Sequence, residues 1–165
     1  MLLWREKIGT GDNIGVQFRT MEVWGDTYDS YLEPLRILQK QAIRTITSSG
    51  RLDHTAPLFK QLKALQLDNI HKYKITLIMF KVWHNMVPNV FASLFARVSD
   101  THTHTRQQFQ FKIPNARTDY MKRAISNKGA RIWNKYCNTL TIDCSFLSFK
   151  IALKHHLNQR LIPDF

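Results

Sequence analysis

The chain has 165 residues, of which 44 % are apolar and 22 % charged. That composition excludes a disordered chain and allows one domain with a real core. Lys and Arg number 24 against 12 acids, a formal net charge of +12, so the body attracts phosphate polymers at long range whatever its fold.

Residues 1–20 show no period. Gly9, Gly11 and Gly15 lack phosphate-loop spacing, and these residues read as a flexible leader. Ser30 to Thr47 reads as a helix, with Ser30 and Glu33 spaced as a capping box and Pro34 in the first turn. At about 100° per residue, Tyr31, Leu35, Leu38, Ala42 and Ile46 share one stripe, the expected buried side. Arg36, Lys40 and Arg44 cluster opposite as a cationic face. "TSSG" is expected to end the helix at Gly50. "HTAPLFKQL" reads as a short helix that turns Leu58, Phe59 and Leu62 inward. Asp68 is placed to cap a helix reaching to about Asn85. Its apolar residues cover nearly every angle, which marks a central helix. Pro88 breaks the chain before another short helix. From Ser99 the character changes. Phe109, Phe111 and Ile113 alternate with polar residues, as in a short strand or extended arm ended by Pro114. One or two helical turns are expected after Gly129. A last helix is expected from about Ser145 to Arg160, with Phe146, Phe149, Leu153 and Leu157 inside.

The positive charge is uneven. Residues 1–29 carry three bases and five acids, residues 30–100 ten and four, and residues 101–165 eleven and three. Between Arg106 and Lys135 the cations Arg106, Lys112, Arg117, Lys122, Arg123, Lys128, Arg131 and Lys135 face the single acid Asp119. Phe109, Phe111, Tyr120 and Trp133 are interleaved. Cations that track a backbone and aromatics that offer flat faces suit single-stranded or structured nucleic acid. The plainer reading puts the aromatics in the core, Trp133 above all, and the cations in water.

Other chemistry finds little footing. Two-metal phosphoryl transfer needs clustered carboxylates, and the acids here are scattered. Cys137, Cys144, His155 and His156 do not have a common zinc spacing, and no serine elbow or Cys–His neighbour pair exists. No cofactor is expected. Two cysteines are too few for a disulfide scaffold. The apolar run before Arg5 is too short for a secretory signal, and Ile75 to Phe80 falls far short of the ~20 residues a bilayer needs. The expectation is an intracellular protein, nuclear or cytoplasmic, with no membrane partner.

Six stretches occur in a telling order: "EVWGDTYDSYLEPLRILQKQAIRTIT" (22–47), "HTAPLFKQLKALQL" (54–67), "KYKITLIMFKVWHNMVP" (72–88), "HTHTR" (102–106), "IPNARTDYMKRAISNKGARIWN" (113–134) and "SFLSFKIALKHHL" (145–157). Together they resemble the C-terminal, post-thumb region of reverse transcriptases from jockey-like non-LTR (LINE-like) retrotransposons. The resemblance spans about residues 21–160. It implies a mostly helical region that follows fingers, palm and thumb in an RNA-directed DNA polymerase. The family's magnesium-binding palm aspartates have no counterpart here, so no catalytic residue carries over. Residues 1–20 depart from the family's thumb-proximal sequence. After "IWN" the family turns through Leu-Pro, whereas this chain continues with Lys135, Tyr136 and Cys137.

The fold expected is mainly α: a single irregular helical domain with a central apolar helix and a basic, partly extended segment around 100–135. Residues 1–20 form a leader, 21–160 the domain and 161–165 a tail. The function expected is that of a truncated polymerase fragment, not an enzyme on its own, which retains electrostatic, non-sequence-specific RNA or DNA binding. The phosphate contacts expected are Arg36, Lys40, Arg44, Arg106, Lys112, Arg117, Lys122, Arg123, Lys128 and Arg131. The alternatives are a protein-interaction module working through an exposed apolar face, and a remnant with no selected function.

Overall fold

The computed structural model describes residues 27–100, 109–140 and 142–159. The fold is mainly α. Its helices are α1 (Asp29–Thr47), α2 (Thr55–Gln61), α3 (Leu67–Trp83), α4 (Asn89–Ala92), α5 (Asp119–Arg123), α6 (Ile125–Tyr136) and α7 (Phe146–Gln159). No helix among the described residues is long and apolar enough to cross a membrane.

The core is built round α3, as its all-round apolar pattern requires. α7 runs back along it. Asn69 Nδ2 donates to Leu157 O at 3.4 Å, and Phe80 stacks on Phe149 with centroids 4.3 Å apart. α6 crosses at the other flank, where Trp133 stacks on Trp83 at 6.2 Å. The two helices come close at Gly129: a Cβ there would stand 2.8 Å from Met79 Sδ, and Met79 is buried. Gly129 therefore lies inside α6. The expectation of one or two turns after it is corrected, because the helix starts at Ile125.

α1 and α2 pack on the start of α3. Leu32 buries against Leu67, with Ile70 beside them, and Phe59 of α2 is also buried. Arg36 ties the helices together. Its Nη2 donates to Asp68 at 2.7 Å, its Nε donates at 3.2 Å, and its Nη1 reaches Glu33 at 3.2 Å. Gln39 bridges the linker: Nε2 donates to Leu65 O at 3.0 Å, and Oε1 accepts from Leu67 N at 2.9 Å. That second bond satisfies one of the free N–H groups at the start of α3.

Several local expectations change. α1 begins at Asp29, and its N-cap is Tyr28, with no side-chain cap, so Ser30 and Glu33 form no capping box. Pro34 falls inside the helix, not in its first turn. The helix terminates two positions early. Ser48 takes the left-handed conformation (φ 53°), and Ser49 N donates to Arg44 O at 3.0 Å, so Gly50 is not the terminator. Asp68 does not cap α3, whose N-cap is Gln66, because its carboxylate accepts from Arg36 instead. The buried side of α1 is the line Leu32, Gln39 and Ile43 with half-buried Arg36, not the stripe Tyr31, Leu35, Leu38, Ala42 and Ile46. Residues 109–113 form no strand. A single antiparallel bridge joins Arg97 and Phe111.

Candidate nucleic-acid interface

The arm from Phe109 to Pro114 lies antiparallel along α6, held by side chains of the helix. Trp133 Nε1 donates to Phe109 O at 2.9 Å. The Asn134 amide takes both backbone groups of Phe111: it accepts from the N–H at 2.9 Å and donates to the C=O at 2.8 Å. Asn127 Nδ2 donates to Pro114 O at 2.7 Å. On the arm's other side Lys112 N donates to Ala96 O at 2.8 Å, and Gln110 O accepts from Val98 N at 3.0 Å. Each asparagine thus does what a neighbouring strand would do, which explains why a single bridge suffices. Asn127 is 1 % exposed, and its Oδ1 accepts from Arg131 Nε at 2.8 Å.

This docking settles where the aromatics go. Phe111 and Trp133 are each 1 % exposed, and Phe109 packs on Trp83 at 6.1 Å. They are core, not stacking platforms. Only Tyr120 of that set stands in solvent, 86 % exposed on α5.

The cations separate into groups. On α6, Lys128, Arg131 and Lys135 fall within an arc of about 60°, opposite the buried Gly129, Trp133 and Tyr136. Asn127 and Asn134, which hold the arm, lie at the edge of that arc. Lys112 and Arg117 are exposed, each within ~10 Å of chain from Pro114, which Asn127 holds. Lys135 was not among the expected contacts. Its spacing of four from Arg131 was the available signal. Burial lowers the pKa of Lys128.

Lys122 donates to Asp119 at 2.9 Å. That hydrogen bond, reinforced by the charges of Lys122 and Arg123, holds the Asp119 carboxyl below its usual range. The acid of this stretch is thereby neutralised locally. Arg123 lies over the Tyr28 ring at 3.8 Å, which joins α5 to the start of α1. The α1 cations are not part of the arm–α6 group. Arg36 serves Asp68 and Glu33, and Arg44 donates to Asp53 O at 3.0 and 3.2 Å, closing the loop after α1. Lys40 is exposed, ~18 Å along the helix from Tyr28. Arg106 lies outside the described residues.

No family model, curated protein or solved structure matches the chain. Among the described residues no three His, Cys, Asp or Glu side chains gather in a way that could hold a metal ion. What α6 presents is a cationic face of Lys128, Arg131 and Lys135, with the basic arm that carries Lys112 docked on the same helix.

Proposed function

We propose that the chain binds the sugar–phosphate backbone of RNA or DNA, without reading bases, through Lys112, Arg117, Lys128, Arg131 and Lys135. The observation that carries this reading is the docking of the arm on α6 by Asn127 and Asn134. It lays the basic arm against the helix that carries Lys128, Arg131 and Lys135, which supports a shared phosphate-binding face. On α5, Tyr120 offers a flat face for a base. Phosphate contacts of this kind give affinity and position but no sequence preference. In origin, we infer a remnant of a jockey-like retrotransposon reverse transcriptase, the family that the six ordered stretches resemble. The contact it supplies is that of a polymerase accessory surface; bond-making belongs to palm aspartates that this chain does not carry.

Fluorescence anisotropy with a labelled single-stranded RNA tests the reading. Five phosphate contacts predict that log K falls against log salt with a slope of about −3.5. Poly-U and poly-A strands of equal length should bind within about threefold of each other. A flat salt response, or affinity confined to one sequence, would overturn the reading.

A further inference from the structure

A crevice of about 250 Å³ lies where the end of α3 meets α4 and the arm. Its walls are Val82 of α3, Ala92 of α4, Phe95 and Arg97 from the segment that follows, and Phe111 of the arm, with Asn85 at the exposed rim. Val82, Phe95 and Phe111 are buried, and the two phenyl rings meet at 5.8 Å. An apolar cavity of about 150 Å³ holds a benzene ring, so there is room here for a ring and one polar substituent.

Arg97 supplies the polar side. It stands opposite Phe111 in the antiparallel bridge, which puts both side chains on the same face. Its Nη2 donates to Trp83 O at 2.6 Å and to Asn85 Oδ1 at 2.9 Å, and its Cζ lies 4.7 Å from the centre of the Trp83 ring. These contacts fix the plane of the guanidinium and satisfy a carbonyl at the end of α3. They do not use the rest of the group. Nε and Nη1, with three N–H between them, find no acceptor among the described residues, and neither does Asn85 Nδ2. No acid lines the crevice, and Arg97 forms no ion pair among the described residues. A half-buried guanidinium with a fixed orientation and no carboxylate partner, set beside two phenyl rings, suits an anion on a flat apolar body. Inorganic phosphate would leave the apolar walls uncovered. We propose that this crevice binds a small aromatic carboxylate, with its ring against Val82, Ala92, Phe95 and Phe111 and its carboxylate accepting from Arg97 and Asn85.

Benzoate is the probe. Saturation-transfer NMR on the full chain should show magnetisation reaching the benzoate ring, with a Kd on the order of 1 mM. Benzamide has the same ring without the charge and should bind at least about tenfold more weakly. Inorganic phosphate at matched ionic strength should not displace benzoate. Ala92→Leu fills the crevice while it leaves Arg97 in place, and should abolish the transfer. Arg97→Gln should lower affinity at least about tenfold. Asn85→Gly covers the case in which Arg97→Gln does not fold. Residue 85 has φ 54°, which glycine adopts without strain, and loss of the amide should weaken binding about threefold or more. The proposal is overturned if the native chain transfers no magnetisation to benzoate, if benzamide binds as well, if phosphate displaces benzoate, or if Ala92→Leu binds benzoate unchanged.

Discussion

Asn134→Asp probes the docking of the arm with the least change in shape. The native amide accepts from Phe111 N–H at 2.9 Å and donates to Phe111 C=O at 2.8 Å. The carboxylate keeps the first bond and loses the second. It also sets an anionic oxygen against a carbonyl oxygen in a half-buried site. The lost bond costs about 1 kcal/mol, and the unsatisfied carbonyl facing a charge costs a further 1–3, for a total of about 2–4 kcal/mol at neutral pH. Protonation restores the donor, because the carboxylic O–H reaches the same carbonyl. The folded-state pKa of the introduced acid is therefore raised above its unfolded value of about 3.9. The missing stability is fully present below that value and is lost as pH rises through the folded pKa. Urea titrations followed by tryptophan fluorescence should show the variant's midpoint lowered by roughly 1–2 M at pH ~7, with most of the gap closed near pH ~4. RNA affinity at neutral pH should fall further than in Asn89→Asp, an exposed variant with the same net charge. A wild-type midpoint at neutral pH, or a deficit that does not shrink on acidification, would refute the idea that Asn134 holds the arm.

Three further outcomes follow from the packing. A double-mutant cycle between Arg36→Met and Asp68→Ala should give a coupling of about 1 kcal/mol by chemical denaturation, because the pair is well oriented but half open to solvent. Lys128→Met should stabilise the fold at neutral pH. The Lys128 pKa is lowered in the folded state, so wild-type stability rises as pH passes that pKa toward the unfolded value, and the variant's advantage should vanish near pH ~10.5. Gly129→Val should cost about 1–3 kcal/mol through overpacking on Met79, and Met79→Ala in the same chain should recover part of the loss, as thermal melts would show.

Elements whose burial is decided by their own period were legible in the sequence. α3 is apolar at nearly every angle, and α7 buries Phe149, Leu153 and Leu157 as its spacing indicates. Features set by partners distant in sequence were not. Asp68 has the position of a cap, but Arg36, thirty-two residues away, claims its carboxylate. The period of α1 locates an apolar stripe but does not say which side meets the protein. Leu32, Gln39 and Ile43 win that contest because Gln39 also satisfies the backbone at Leu65 and Leu67. In the candidate interface, the basic character of 106–135 was plain, and so was the extended arm. The docking of that arm on α6 was not, since it depends on Asn127 and Asn134 reaching backbone groups thirteen and twenty-three residues away. Arg36 and Arg44 look like free cations in sequence and turn out to be structural ties.

The central claim concerns the location of charge, not its amount. Two triple variants of equal net charge put it to the test: Lys112, Arg117 and Arg131 changed to Gln along the arm and α6, and the exposed Lys60, Lys72 and Lys150 changed to Gln elsewhere. Titration of labelled single-stranded RNA across a salt series should find the first variant's slope reduced by about 2 and the second close to wild type. Equal losses in the two variants would contradict the account, because binding would then follow net charge alone.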